Sequence, residues 1–524
     1  LSLHDALPIF PSGGPITRDN TGAEVYCTIF ALAESPTQPG MLWAGSDDGL
    51  VHISEDGGRN WQNITPSDLP EWALISIIEL SPHEDGIAYL AATRYKLDDT
   101  KPYLYKTSDY GETWELITNG IPAGDFTRVI REDPQVRGLL YAGTESGLYV
   151  SFDDGGQWQR VSGNFPVVPV HDLVVKGDEL VIATHGRSFW ILDDVTVLRQ
   201  LAQESGTEAA RLFAPKPSVR LRRYRGFGGA PVKGVVNYGS AGTSQVLFDP
   251  VDQPDGTTGR QLLTAGENPP EGVAIHYYLA ETQTEPLALS ILDSDGSEIR
   301  TYRSDDEHAP RPTTSVGLNR FVWNMREMGA ESVTAALQAW DQPDGPTVLP
   351  GQYQVRLTVD GADRLQGFEV VRDPRIESSD ADLAAQRDML RELRDRLSET
   401  NRTINEIDAL LDQTAIWQRR TSNETVRQAA DSVEEQLREI LPTLIDVNIH
   451  QAQLWPSGLH EKLNALFNSV DGADYAPPQQ ARDVFAELSE QLESAKARLA
   501  AIRDTEVRAL NDAIASSRVR VVGD

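Results

Sequence analysis

One eight-residue pattern recurs three times in the first third of the chain and constrains its fold more than anything else in it. Ser54–Trp61 reads Ser-Glu-Asp-Gly-Gly-Arg-Asn-Trp, Thr107–Trp114 reads Thr-Ser-Asp-Tyr-Gly-Glu-Thr-Trp, and Ser151–Trp158 reads Ser-Phe-Asp-Asp-Gly-Gly-Gln-Trp. The fixed positions are Ser54, Asp56, Gly58 and Trp61; Thr107, Asp109, Gly111 and Trp114; and Ser151, Asp153, Gly155 and Trp158. At average composition, four fixed positions recur by chance on the order of once in 10^5 sites, so three copies mark a structural repeat. The chemistry is that of a tight hairpin. Ser, Thr and Asp oxygens accept bonds from nearby backbone N–H groups, Gly reaches backbone angles other residues resist, and Trp fixes the outgoing strand.

Short apolar runs flank each octad. Met41–Gly45, Ala88–Ala92 and Leu140–Gly143 precede them, and Leu180–Ala183 is a fourth copy without an octad. Ahead of these lie Cys27–Leu32, Leu74–Leu80, Phe126–Ile130 and His171–Val175. Short strands separated by turn residues at this spacing predict all-β structure, four strands to a unit. Four propeller blades are expected, at about 23–66, 67–119, 120–164 and 165–196. An arc of four leaves sheet edges unpaired.

The octad resembles the Asp-box, or BNR repeat, of sialidases, sortilins and tandem-propeller glycoside hydrolases. That resemblance implies that the boxes are fold elements on the side away from any binding face. The order of motifs through the chain extends it. After the octads come Thr184–Asp194, Asn268–Gly272, Asn319–Trp323, Pro350–Tyr353 and Asp373–Arg375, then helices. This is similar to large bacterial proteins labelled BNR-repeat glycosyl hydrolase or sortilin-like. The resemblance implies export and more propeller upstream. No position matches the catalytic motifs of the tandem-propeller xyloglucanases.

The ends and the composition agree with a piece of an exported protein. Residues 1–10, Leu-Ser-Leu-His-Asp-Ala-Leu-Pro-Ile-Phe, read as a short-read sequencing adapter translated in one frame. They are set aside from fold reasoning, and the true N-terminus is expected upstream. A net charge of −32 argues against nucleic acid as a partner. No run of about 18 apolar residues is present to span a membrane. The single cysteine, Cys27, excludes an internal disulfide and a cysteine zinc site. No cofactor or metal motif is found. The expected location is secreted, periplasmic or cell-surface.

In an up-and-down unit the turns alternate between two faces. The octads join strands three and four, so the loops between strands two and three lie on the opposite face. These loops supply the candidate ligand contacts Asp47, Asp48, Arg94, Tyr95, Lys96, His185 and Arg187. Thr93–Lys101 is the longest of them and carries two cations and an aromatic, as binding loops do. Asp47 and Asp48 read either as an acid/base pair or, since adjacent side chains diverge, as a turn. His185 and Arg187 read either as ligand contacts or as the closure of the last blade.

Beyond the repeats, residues 197–268 read as a linker. Its basic segment, Leu212–Arg225, is expected to clamp along the acidic propeller, and Gly226–Gly266 to form a long loop. Residues 269–375 alternate as half-buried strands and predict an Ig-like sandwich with Trp323 in its core. From Asp380 to about 518 the period turns helical, with Leu390, Leu393, Leu397, Ile404, Ile407 and Leu411 stepping by three and four. Helices are expected from Asp380, at about 423–446 and at about 478–517, in an antiparallel bundle with breaks at Trp417 and at Trp455-Pro456. The fold class is therefore mainly β with a helical C-terminus. The leading function is an exported scaffold binding a glycan or peptide. The alternatives are a glycoside hydrolase whose carboxylates lie mostly upstream, and a structural surface protein.

Overall fold

The computed structural model describes residues 27–203, 208–222, 232–235, 237–241, 244–263, 265–283, 285–308, 310–333, 344–446 and 458–517. The adapter-like stretch 1–10, the end of the basic segment and the Trp455-Pro456 break lie outside them. The chain forms two compact units, Leu1–Glu208 and Ala209–Asp524. It is mainly β, in many small antiparallel sheets, with a helical C-terminal part.

In the first unit the strands follow sequence order. β1 (Ile29–Glu34), β2 (Leu42–Ser46), β3 (Val51–Ser54) and β4 (Gln62–Asn63) form the first sheet. β5 (Leu74–Leu80), β6 (Ala88–Arg94), β7 (Asp99–Thr107) and β8 (Glu115–Leu116) form the second. β9 (Thr127–Glu132), β10 (Leu140–Thr144), β11 (Leu148–Ser151) and β12 (Gln159–Arg160) form the third. β13 (Val170–Lys176), β14 (Glu179–Thr184) and β15 (Phe189–Leu192) make a fourth sheet of three strands.

Alternation along the strands decides how the sheets stack. On β6, Leu90 packs with the first sheet's Trp43 and Ile53, while Tyr89 packs with the third sheet's Leu140 and Tyr149. On β10, Tyr141 turns the other way, onto Leu173 and Leu180 of the fourth sheet. Central strands are thus buried on both faces, which is why they read as unbroken apolar runs. Two glycines mark the closest approaches. A Cβ on Gly45 would lie 2.4 Å from Ile75 Cγ2, and one on Gly143 2.5 Å from Val170 Cγ1.

The three octads close the same turn. The hydroxyls of Ser54, Thr107 and Ser151 each accept the N–H of the octad glycine at 2.9 Å. Each hydroxyl donates to the octad aspartate, at 3.0, 2.7 and 2.8 Å. The aspartates Asp56, Asp109 and Asp153 in turn accept the N–H four residues on, at 2.9, 2.9 and 2.8 Å. Gly58, Gly111 and Gly155 have φ of 85°, 86° and 89°, values that a side chain resists. The tryptophans differ. Trp114 donates to Ile64 O at 2.7 Å and Trp158 to Ile117 O at 2.6 Å, each reaching the segment just after the preceding sheet. Trp61 turns back onto its own Gly58 O at 3.1 Å and is exposed.

The linker expectation is overturned. α1 (Thr196–Gln203) packs on the fourth sheet, where buried Arg199 pairs with Asp133 at 3.0 Å and Asp178 at 2.7 Å. In the second unit, β16 (Ala210–Leu212) pairs with β21 (Val273–Leu279), and β17 (Ser218–Arg220) runs parallel to β26 (Ala362–Arg372). Residues expected as one long loop include β18 (Asn237–Ala241), β19 (Ser244–Asp252) and β20 (Thr258–Leu262), an antiparallel sheet. The described part of the basic segment makes ion pairs with acidic residues of its own unit. Arg220 pairs with Asp474 at 2.6 Å, and Arg222 with Asp474 at 2.7 Å and Asp471 at 2.9 Å. Sequence alone shows a run of cations but not which of 79 acidic residues they meet.

β22 (Ala288–Asp293), β23 (Glu298–Arg303), β24 (Gly317–Trp323), β25 (Gly351–Val359) and β26 complete two sheets ordered β16-β21-β24 and β17-β26-β25-β22-β23. They share one core, in which Trp323 is fully buried and donates to Arg326 O at 3.0 Å. α2 (Asp380–Arg420) begins with a capping box from Ser379 and Asp382 and runs through the break expected at Trp417. α3 (Glu424–Leu444), α4 (Leu459–Val470), α5 (Gln479–Ile502) and α6 (Arg508–Ser516) pack with it around a second core. α4 was not anticipated: it spans 12 residues and buries charged and amide side chains on its packed face.

Candidate functional site

The face opposite the octads carries the candidate contacts, and three of the seven, Asp47, Asp48 and Arg94, are already engaged by neighbouring backbone and side-chain groups. In the first sheet, Asp47 is buried and its Oδ1 accepts the N–H groups of Cys27 and Thr28 at 2.8 and 2.9 Å. Asp48 accepts the Ser46 hydroxyl, and its carbonyl accepts Trp72 N–H at 3.1 Å. The two carboxylates therefore brace a turn and do not oppose each other across a cleft.

The second loop is tighter than its sequence suggests. β6 and β7 stay paired out to Arg94 and Asp99, and Tyr95–Leu97 form a single 3-10 turn between them. Arg94 donates to Glu71 O at 2.9 Å and contacts Asp99 Oδ2 at 3.4 Å, so it secures the hairpin. Lys96 is exposed. Tyr95 does something else: its ring stacks on Phe126 with centroids 4.9 Å apart and planes 13° apart.

Around that stack the structure assembles a group that sequence reading had only half named. Arg128, entering β9, lies over both rings, 4.9 Å from the Phe126 centroid and 5.3 Å from Tyr95. It also grips Glu145 Oε2 through Nη2 at 2.6 Å and Nε at 3.0 Å. His171, entering β13, and His185 have ring centroids 5.0 Å apart. Burial lowers the pKa of His171, as do the positive charges of Arg128 and His185, while Glu145 opposes them. The result is a continuous strip of aromatic ring, guanidinium, carboxylate and two imidazoles. Both His171 and His185 are exposed, and Tyr95 partly so. Arg187 is exposed, and its carbonyl accepts Trp190 Nε1 at 3.0 Å.

Of the seven expected contacts, Tyr95 and His185 belong to this strip. Phe126, Arg128, Glu145 and His171 were missed. Their signal was positional: register places Thr127 opposite Thr144 and Val170 opposite Thr184, so residues entering a first strand sit beside the loop after the second.

The four first strands also line a cavity of about 580 Å³ that includes Phe30, Leu32, Ser76, Glu79, Arg131 and Val174. Arg131 ties three sheets together here, bonding Glu79 at 2.7 Å and Asp172 at 2.8 Å. Burial raises the pKa of Glu79 against the pull of Arg131. Among the described residues, no group of three or more His, Cys, Asp or Glu side chains is arranged to hold a metal ion, and no helix is long and apolar enough to cross a membrane.

Comparison with known proteins finds distant sequence relatives. No protein-family model matches the chain. A xyloglucanase from Paenibacillus sp is 23% identical over 245 residues, 39% of this chain and 23% of the relative. The oligoxyloglucan-reducing end-specific xyloglucanase of Emericella nidulans is 28% identical over 88 residues, 16% of this chain and 10% of the relative. The matched segments thus span less than a quarter of these relatives. Among solved structures, the GH74 xyloglucanase from Xanthomonas campestris aligns over 65% of this chain and 45% of its own, at 14% identity and a TM-score of 0.27. YCF48 bound to D1 peptide aligns over 33% and 57%, at 16% identity and a TM-score of 0.24. The chain is distantly similar in sequence to xyloglucanases.

Proposed function

We propose that this chain is part of an exported, propeller-type glycoside hydrolase acting on a β-glucan of the xyloglucan kind, and that it supplies part of the polysaccharide-binding face. The reading is carried by the strip Tyr95–Phe126–Arg128–Glu145–His171–His185, in a chain whose curated relatives are xyloglucanases. A partly exposed ring backed by a second ring offers a flat apolar surface to the C–H face of a sugar. The guanidinium, carboxylate and imidazoles beside it supply donors and acceptors for hydroxyls. In this reading the octads are Asp-boxes that hold the sheets from the opposite face. A polysaccharide substrate stays outside the cell, so export follows.

A ligand-binding scaffold without turnover is the second reading, and one observation favours it. The carboxylates that approach each other are already engaged: Asp47 and Asp48 in a turn, Glu79 and Asp172 on one guanidinium. Hydrolysis needs an acid and a base ~5–9 Å apart across the scissile bond, so the hydrolase reading places that pair outside the described residues.

The test is titration of the chain with xyloglucan oligosaccharides by calorimetry, beside a reducing-end assay on the polymer. Binding that Tyr95→Ala and Arg128→Ala each weaken about tenfold, one well-made contact's worth, supports the face. Binding without new reducing ends selects the scaffold. Failure of every β-glucan to bind the folded chain removes the proposal.

A further inference from the structure

The strip on the face opposite the octads is unevenly satisfied. Its one carboxylate, Glu145, is already taken by Arg128, through Nη2 at 2.6 Å and Nε at 3.0 Å. Its donors are not all taken. Among the described residues, no hydrogen bond engages Arg128 Nη1 or the ring nitrogens of His171 and His185, and both imidazoles are exposed. A guanidinium is always charged and an imidazole becomes so with a proton, so the open groups are cationic or one proton from it. That is the minority sign in a chain of net charge −32. The strip draws on the second, third and fourth sheets, so its composition does not depend on what precedes the first.

The open groups also crowd one another. The two imidazole centroids are 5.0 Å apart, and their planes are tilted by 58°. Burial, Arg128 and His185 together hold the pKa of His171 below its ordinary 6.5, and Glu145 opposes them. These groups come from the elements packed around the ring: Arg128 from β9, Glu145 from the β10–β11 turn and His185 from the β14–β15 turn. Asp172, next on β13, is committed to Arg131 at 2.8 Å. Like charges this close disfavour the doubly charged pair, and an anion set among the three groups reverses that. A metal ion is the other ligand that two imidazoles suit, but among the described residues no third metal-binding side chain stands with them.

We propose that the anion is the carboxylate of a uronic-acid unit: the polysaccharide at this face is an acidic one, with a sugar ring on Tyr95 and a carboxylate received by Arg128 Nη1, His171 and His185. The inference rests on the polysaccharide reading of the same face and narrows it from β-glucans in general to those that carry a carboxylate. A uronic acid suits both halves of the strip, because it joins an apolar C–H face to a planar anion that a guanidinium edge and imidazolium N–H groups can receive. Its carboxylate is ionised throughout the range in which imidazoles titrate. The sign of the pH dependence follows: binding strengthens as the pH falls and the imidazoles gain protons, and near pH 6 it draws a proton from solution.

Calorimetry of the whole chain tests this with a matched pair of probes: a xyloglucan oligosaccharide bearing one glucuronic acid, and the same oligosaccharide with that carboxyl reduced to the alcohol. At pH 5.5 the acidic probe should bind about tenfold tighter, the worth of one charge-assisted contact, and at pH 7.5 the ratio should shrink. Titration at pH 6 in two buffers of different ionisation enthalpy should show proton uptake with the acidic probe and none with the reduced one. His171→Gln combined with His185→Gln should collapse the ratio at pH 5.5 to about twofold, while Tyr95→Ala weakens both probes and keeps the ratio. Equal affinity for the two probes at both pH values overturns the inference and leaves the polysaccharide reading standing; binding of neither overturns both. A glutamate-rich peptide that binds as tightly as the acidic probe overturns the assignment to a sugar. If the double variant loses its fold, proton uptake by the unsubstituted protein decides.

Discussion

Acid should loosen the helical part of this protein through one residue, His460. The imidazole is 2% exposed, and its Nδ1 lies 2.8 Å from Asn401 Oδ1. The Asn401 amide nitrogen donates to Glu331 O at 2.6 Å, so its oxygen faces the ring and Nδ1 carries the proton of a neutral imidazole. Burial lowers the pKa from the ordinary 6.5 to about 4. The unfolded chain therefore takes up a proton that the folded chain refuses. The stability at stake is fully present above pH 6.5 and drains as the pH falls toward 4. A separation of roughly 2.5 pH units corresponds to about 3 kcal/mol in total, of which about 2 kcal/mol is lost by pH 5. Glu461 beside it acts with opposite sign. Burial raises its pKa, so its contribution favours the folded state at low pH and declines as the pH rises. The measurement is therefore a difference. Guanidinium unfolding followed at 222 nm, at pH 7 and pH 5, is compared between the protein and His460→Gln. Glu461 is common to both and cancels. The unsubstituted protein should lose about 2 kcal/mol more than the variant over that interval. Parallel losses, within about 0.5 kcal/mol, would refute the idea that His460 is held neutral by burial.

Arg131→Met leaves Glu79 and Asp172 without their shared partner; a loss of about 3 kcal/mol is expected. It should be larger at pH 8 than at pH 5, because a protonated Glu79 tolerates burial. A thermal shift the same at both pH values contradicts this. Asp109→Ala removes the acceptor of Thr113 N–H and of the Thr107 hydroxyl. It should cost about 1 kcal/mol in a melting experiment without changing affinity for any ligand of the opposite face. Weakened binding at unchanged stability would move the octads from scaffold to site.

The repeat was legible because it is local. A hydroxyl, a carboxylate and a glycine at fixed offsets close the same turn wherever they occur, and the three octads make the same hydroxyl–glycine bond. Strands such as Ala88–Arg94 were legible because a run of small and apolar residues suits a strand buried on both sides. The helical stretch from Asp380 was legible by period, since the buried Leu390, Leu393 and Leu397 step by three and four. α4 was not. Its packed face includes His460, Glu461 and Asn464, and polar residues on the core side erase the hydrophobic period on which recognition depends.

The site divides the same way. Tyr95 and His185 could be nominated because strand parity assigns a loop to a face, a rule that needs only the order of turns. Which side chains meet there could not be read, because contact between neighbouring sheets joins residues with no relation in sequence. Tyr95 finds Phe126 only once the second and third sheets are stacked, and Arg128 finds Glu145 only through the pairing of β9 with β10. Nor could it be read that Asp47 would accept the N–H groups of Cys27 and Thr28, or Arg94 bond Glu71 O. Partner choice among charges is long-range in the same sense: Arg220 and Arg222 lie about 250 positions from Asp474, and only the packing of helices against strands brings them within 2.7 Å. Turn chemistry and strand periodicity are set by neighbours along the chain, so the sequence determined them. Which surfaces remain open, and which charges are neutralised, depends on contacts across the chain, so the tertiary structure decided them.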